Sequence, residues 1–128
     1  MTAAPDEYPA LYLKGIELFN DCEFLDASNT WVELWTDCHG PSRRYYQGLI
    51  QTAVCLHHFV NENTSGAVKV YHTSLDFLAP YRPKHLGIDL DQFLGELGGC
   101  LQEILESNER FPTESINPDL IPDLILLD

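Results

Sequence analysis

The chain has 128 residues, 45% of them hydrophobic, and 7 Lys and Arg against 20 Asp and Glu give a formal charge of −13 at pH 7. This length and apolar fraction are typical of one globular domain over residues 1–128, which excludes disorder and a two-domain layout. The negative charge repels phosphate backbones and anionic lipid head groups, so we expect neither nucleic acid nor membrane as a partner.

The location predicted from the sequence is cytoplasmic. No run approaches the ~18 apolar residues of a membrane span, and the first residues have neither the basic start nor the apolar stretch of a signal peptide. The four cysteines form no Cys-x-x-Cys pair, which argues against a zinc ribbon and favours free thiols in a reducing compartment. These cysteines are Cys22, Cys38, Cys55 and Cys100.

Apolar periodicity predicts five helices and no strand, so the predicted fold class is an all-α bundle. The first helix covers about residues 9–20, and the second, about 23–37, carries an apolar stripe that includes Trp31 and Trp35. The third, about 41–61, follows a break at Gly40-Pro41. Its predicted buried stripe consists of Tyr46, Leu49, Ile50, Ala53, His57 and Val60.

The fourth helix follows the capping stretch 61–66 and ends before Pro80 and Pro83. The fifth begins at Asp89, a good N-cap residue, and repeats leucines at helical spacing. The tail 117–128 contains two prolines and many apolar residues. We therefore expect it to pack back on the bundle or on a second copy of the chain.

Two segments of this chain resemble a known family. One is the aromatic-rich second helix, with Phe24-Leu25-Asp26-Ala27 followed by Trp31 and Trp35, and the other is Tyr46-Gln47-Gly48-Leu49-Ile50-Gln51-Thr52-Ala53. Over about residues 9–80 they resemble domain of unknown function family 309. Its members are small, all-helical, mostly prokaryotic proteins with no settled activity, so the resemblance implies a helical fold and no particular reaction.

If the titratable residues of the family perform acid–base or metal chemistry, the resemblance also implies that this chain has lost it. The family pattern on the second helix is Ala-His-Glu-x-x-Glu-x-x-Trp, and aligned on Ala27 and Trp35 the His, Glu and Glu positions hold Ser28, Asn29 and Val32. None of these side chains titrates near pH 7 or is a strong metal ligand. The expectation is a protein that is not an enzyme and that uses neither a metal nor a cofactor.

The third helix carries a polar edge, because Arg44, Gly48, Gln51, Cys55 and His58 recur three and four residues apart. Gly48 predicts the close approach of a neighbouring helix. Together with the second helix this edge predicts a small neutral pocket, and the alternative is a buried hydrogen-bond network that fixes helix register. The pocket candidates are Ser28, Asn29, Trp31, Trp35, Tyr46, Gln47, Gly48, Gln51 and His58.

Two arginines at the start of the third helix, Arg43 and Arg44, are candidates for binding a small anion. The alternative is that they pair with nearby carboxylates, such as that of Asp37. A shared metal site on His57 and His58 is not expected, because adjacent residues on a helix diverge by about 100°.

The negative charge is concentrated in residues 86–128, which contain ten acidic residues and one basic residue, Arg110, a balance of 1 − 10 = −9. This is typical of a solvated face, and the alternative is a docking surface for a basic partner. The leading hypothesis is a non-catalytic protein-interaction or small-ligand-binding module. The alternatives are a hydrolase-like or metal-assisted enzyme using Gln51, His58 and Glu33 between the second and third helices, and a homodimer compatible with either function.

Overall fold

The computed structural model describes residues 8–106 and 120–126, and the architecture below concerns these residues. They form five α-helices and one small hairpin, which confirms the predicted all-α bundle. The predicted tail residues 117–119 and 127–128 lie outside the described part. The elements are α1 (Ala10–Asn20), α2 (Phe24–Asp37), α3 (Arg43–Val60), α4 (Thr64–Leu78), a 3-10 turn (Ala79–Tyr81), β1 (Lys84–His85), β2 (Ile88–Asp89) and α5 (Leu90–Glu106).

Helix α3 is the centre of the bundle, because it packs against α2 on one side and α4 on the other. Its buried residues consequently form two faces rather than one stripe. Leu56 and Phe59 are fully buried, whereas Val60 is 43% exposed and His57 is half-buried. The predicted burial of Val60 and His57 was therefore wrong, because a single stripe does not describe a helix that is covered from two sides.

Two glycines allow helices to approach closely. A methyl group added at Gly15 of α1 would overlap the indole of Trp31, which donates a hydrogen bond to the carbonyl of Tyr12 at 3.3 Å. A methyl group at Gly48 would lie 2.5 Å from Cδ2 of Leu78. The close approach predicted at Gly48 is confirmed, and it joins α3 to α4.

A hairpin between α4 and α5 was not predicted. Strands β1 and β2 pair antiparallel, with His85 opposite Ile88, and the two turn residues Leu86 and Gly87 have φ values of 44° and 82°. Strands of two residues are too short to show alternation, and Leu-Gly is a weaker turn signal than Asn-Gly. Asp89 then caps α5, since its Oδ1 accepts the Gln92 amide at 3.0 Å, as predicted.

Residues 120–126, called the C-terminal segment below, lie against this hairpin and the end of α1. Leu124 is 2% exposed, and its main chain is hydrogen-bonded to the side chain of Asn20. Leu126 forms an antiparallel bridge with Ile88. The expectation that the tail packs on the bundle is confirmed for this segment.

Replacing each of two helical glycines by alanine should change stability in opposite directions. Gly15→Ala forces the Trp31 indole to move and should lower the free energy of unfolding by about 1–3 kcal/mol. Gly95→Ala adds a methyl group in α5 where no atom lies within 4 Å, and should raise it by up to about 1 kcal/mol. Urea unfolding of both variants checks this, and a gain in both would contradict the packing of α1 on α2.

Candidate functional site

The three positions of the family pattern on α2 have different surroundings. Ser28 is buried, and its hydroxyl donates to the carbonyl of Leu25 at 2.8 Å, within its own helix. Asn29 and Val32 are both exposed. The hydrogen-bonding capacity of Ser28 is thus used on the helix backbone, and Asn29 lies on the solvent side.

The candidate residues of α3 spread along the whole helix. Tyr46 is 4% exposed, Gln47 and Gln51 are half-buried, and His58 lies near the far end, where its Nδ1 is 3.2 Å from Nδ2 of Asn63. Glu33 of the enzyme alternative is exposed on α2. Within the described ranges there is no group of three or more His, Cys, Asp or Glu side chains that could hold a metal ion.

The two tryptophans of α2 differ in their environment. Trp31 is fully buried in the core and its indole N–H is satisfied by Tyr12. Trp35 is half-buried, and its indole nitrogen is buried with no hydrogen-bond partner among the described residues. The face of Trp35 is covered by the guanidinium of Arg43, at 4.1 Å from the ring centroid.

Both arginines at the start of α3 stack on aromatic rings. Besides Arg43 on Trp35, the guanidinium of Arg44 lies 4.7 Å from the centroid of Phe77. The ion pairs found among the described residues are Lys14–Glu17 and Arg82–Asp91, so neither arginine pairs with Asp37. Such cation–π contacts contribute about 0.5–1 kcal/mol each at exposed sites and hold the two side chains on α2 and α4.

A cluster of tyrosines closes the end of the bundle next to the hairpin. The hydroxyls of Tyr12 and Tyr45 lie 2.9 Å apart, and the Tyr12 hydroxyl also donates to the carbonyl of Leu86 at 2.9 Å. Burial raises the pKa of both phenols, so both stay protonated over the whole physiological range. The cluster therefore anchors the hairpin to α1 and α3.

His85 and Ser42 form a pair that sequence reasoning missed, because 43 positions separate them. Nε2 of His85 is 2.9 Å from Oγ of Ser42, and the imidazole contacts the rings of Tyr45 and Tyr81 at centroid distances of 4.6 and 4.7 Å. Activation of a serine also needs a group that orients the imidazole. In residues 8–106 and 120–126 no carboxylate is hydrogen-bonded to His85. The contact between His85 and Ser42 links the hairpin to the start of α3.

The structure contains a cleft of about 220 Å³ where β2, the first turns of α5 and the C-terminal segment meet. This acidic cleft combines an apolar wall with three carboxylates. Neither Glu96 nor Asp123 forms an ion pair with a described residue. The lining residues are Ile88, Asp89, Gln92, Phe93, Glu96, Asp123 and Ile125.

Sequence reasoning identified the acidic half of the chain but not this cleft. Asp123 and Ile125 reach it only because the C-terminal segment folds back to β2, about 35 positions upstream. Apolar and carboxylate side chains in one cleft suit a ligand group that is both apolar and positively charged, such as a lysine or arginine side chain.

A family model described as "Domain of unknown function (DUF309)" matches residues 12–70, which confirms the resemblance found in the sequence. No curated protein matches the chain. The matched residues run from α1 into α4, so α5, the C-terminal segment and the acidic cleft lie outside them. In the part of the chain that the structure describes, every helix is too short or too polar to cross a membrane.

The stability of the chain should depend on the protonation of His85. Burial lowers the pKa of His85 below its usual 6.5, so the folded state favours the neutral ring and binds fewer protons than the unfolded state. This contribution is present above the unfolded pKa and is lost as the pH falls below it. His85→Gln removes it, so the Tm advantage of the wild type should shrink between about pH 8 and about pH 5.5. A constant Tm difference over this range would contradict the assignment.

Proposed function

We propose that this chain is a non-catalytic protein-interaction module of the cytoplasm that binds a basic segment of a partner protein in the acidic cleft. The observation that carries the proposal is the cleft itself, in which Asp89, Glu96 and Asp123 surround the apolar side chains of Ile88 and Phe93. Carboxylates that form no ion pair with a described residue, next to buried apolar surface, match an amphipathic cation.

The size of the cleft favours a protein partner over a free small ligand. Pockets for drug-sized molecules and cofactors usually enclose about 300–1,000 Å³. The acidic cleft has about 220 Å³ and is open, which is room for one or two side chains. A partner protein can insert such a side chain and gain the rest of its affinity from the surface around it.

The overall charge supports a basic partner. The balance of −9 in residues 86–128 gives this part of the chain a strong negative charge, and the field of such a charge speeds the encounter with a positively charged surface. A second copy of this chain carries the same −13 and is therefore disfavoured as the occupant of this cleft. A homodimer through another face is compatible with the proposal.

The absence of catalysis is supported by the neutral residues at the family positions and by the structural use of Ser42 and His85. The cytoplasmic location is supported by the cysteines, since all four are free thiols. Burial raises the pKa of Cys55 to about 12 and that of Cys100 to about 11, so these two thiols are unreactive at neutral pH.

Binding of a basic probe should map to the acidic cleft. The probe is a synthetic peptide of alternating leucine and lysine, titrated into the ¹⁵N-labelled chain. Amide shifts should concentrate in Ile88–Asp89, the first turns of α5 and the C-terminal segment. Glu96→Gln removes one cleft carboxylate and should weaken binding about two- to fivefold, the effect of one exposed charge pair.

Glu33→Gln is the matched control, because it removes the same charge from an exposed position on α2. Its affinity for the probe should equal that of the wild type. Equal weakening by Glu96→Gln and Glu33→Gln would show that the probe binds through the overall charge of the chain and not through the cleft. Shifts centred on Ser28 and Gln51 would move the site to the interface of α2 and α3 and contradict the proposal.

A further inference from the structure

The side chain of Asn20 binds the main chain of the C-terminal segment. Its Nδ2 donates to the carbonyl of Leu124 at 2.9 Å, and the amide of Leu124 donates to Oδ1 of Asn20 at 2.7 Å. One side-chain amide thus pairs with both polar groups of one residue's backbone. Because every residue except proline carries these two groups, Asn20 can form the same two hydrogen bonds with a strand of almost any sequence.

The C-terminal segment lies in a groove between the end of α1, at Asn20, and the hairpin, at Ile88. Its side chains point alternately into this groove and into solvent. Pro122 and Leu124 are buried and Leu126 is half-buried, whereas Asp123 is exposed and Ile125 is 63% exposed. Leu126 also extends the hairpin by its bridge to Ile88. Main-chain hydrogen bonds combined with pockets for alternate side chains are how proteins bind extended peptides.

The resident segment does not match the charge of its surroundings. Asp123 faces outward and lines the acidic cleft, which Asp89 and Glu96 already line. A third carboxylate there is disfavoured by like charge, and a lysine or arginine at the same strand position is favoured by opposite charge. A strand with the same apolar side chains and a lysine or arginine at the position of Asp123 would therefore fit the groove and the cleft better than the C-terminal segment does.

We propose that the basic partner segment binds as an extended strand in this groove and displaces the C-terminal segment. Its apolar side chains take the places of Pro122, Leu124 and Leu126, and a lysine or arginine takes the place of Asp123. This inference rests on the proposed function and adds the binding mode and the sequence pattern that the partner must have.

A test within the chain needs no partner. Asp123→Lys puts a cation beside Asp89 and Glu96 and should raise the Tm by about 2–4 °C. Asp76→Lys is the matched control, since it makes the same change of charge at an exposed position of α4. An equal rise in both variants would show that only the net charge matters and would overturn the charge mismatch.

A test with a peptide measures displacement directly. The probe is a fluorescent peptide with the sequence of residues 120–126, lysine in place of Asp123 and an amidated C-terminus, so that its lysine is its one charged side chain. Its affinity is measured by anisotropy against the full chain. Leu124→Ala weakens the resident segment and should tighten peptide binding about tenfold. Asp123→Lys strengthens the resident segment and should weaken peptide binding. Opposite effects of these two substitutions are expected only when peptide and segment compete.

Two further variants complete the design. Asn20→Ala in the Leu124→Ala background removes both main-chain hydrogen bonds and should weaken peptide binding about tenfold. Leu126→Ala, at a half-buried position, replaces Leu124→Ala should the latter chain fail to fold.

The outcomes separate this inference from the proposed function. Peptide binding that Glu96→Gln weakens but that neither Leu124→Ala nor Asp123→Lys alters would overturn displacement and leave the cleft as the binding site. No binding of the basic peptide to any variant would overturn both. Equal affinity for a peptide that keeps Asp123 would contradict the required positive charge.

Discussion

The pairing of Asn20 with the main chain of Leu124 is the interaction on which the candidate site depends. It joins the end of α1 to the C-terminal segment across 104 positions of sequence. Two of the seven residues that line the acidic cleft belong to that segment, so the cleft is complete only when a strand, resident or partner, lies in this position. Burial of the Leu124 side chain stabilises the docked C-terminal segment, and the two hydrogen bonds with Asn20 fix the register of that segment on the bundle.

The helical bundle could be predicted from the sequence because its signals are local. Periodicity located five helices, the first three to within about two residues of their ends, and the cap at Asp89 was recognised from its side chain alone. The hairpin, the Ser42–His85 pair and the acidic cleft could not be predicted. Each joins positions that are far apart or too few to show a pattern, so only the folded backbone brings them together.

The charge of the chain divides the molecule into two halves with different properties. The part matched by the family model carries aromatic packing, two arginines stacked on aromatic rings and the buried residue Ser28. The other half carries the acidic balance and the cleft. A helical core that resembles a family over residues 12–70 thus serves as the support for a surface built by α5 and the C-terminal segment.

Because the C-terminal segment is attached to the same chain, a partner strand must compete with it for the groove, and this competition determines which strands can bind. A segment attached to its own chain competes at an effective concentration in the millimolar range, so a free peptide with the same contacts cannot displace it at lower concentration. The apolar contacts of the two competitors are alike, which leaves the charge at the position of Asp123 as the main difference between them. Replacing a like charge by an opposite one contributes about 1–2 kcal/mol at a partly exposed site, which is about five- to thirtyfold in affinity. In the proposed binding mode the groove thus favours basic strands over neutral and acidic ones, and this selectivity weakens as salt screens the cleft.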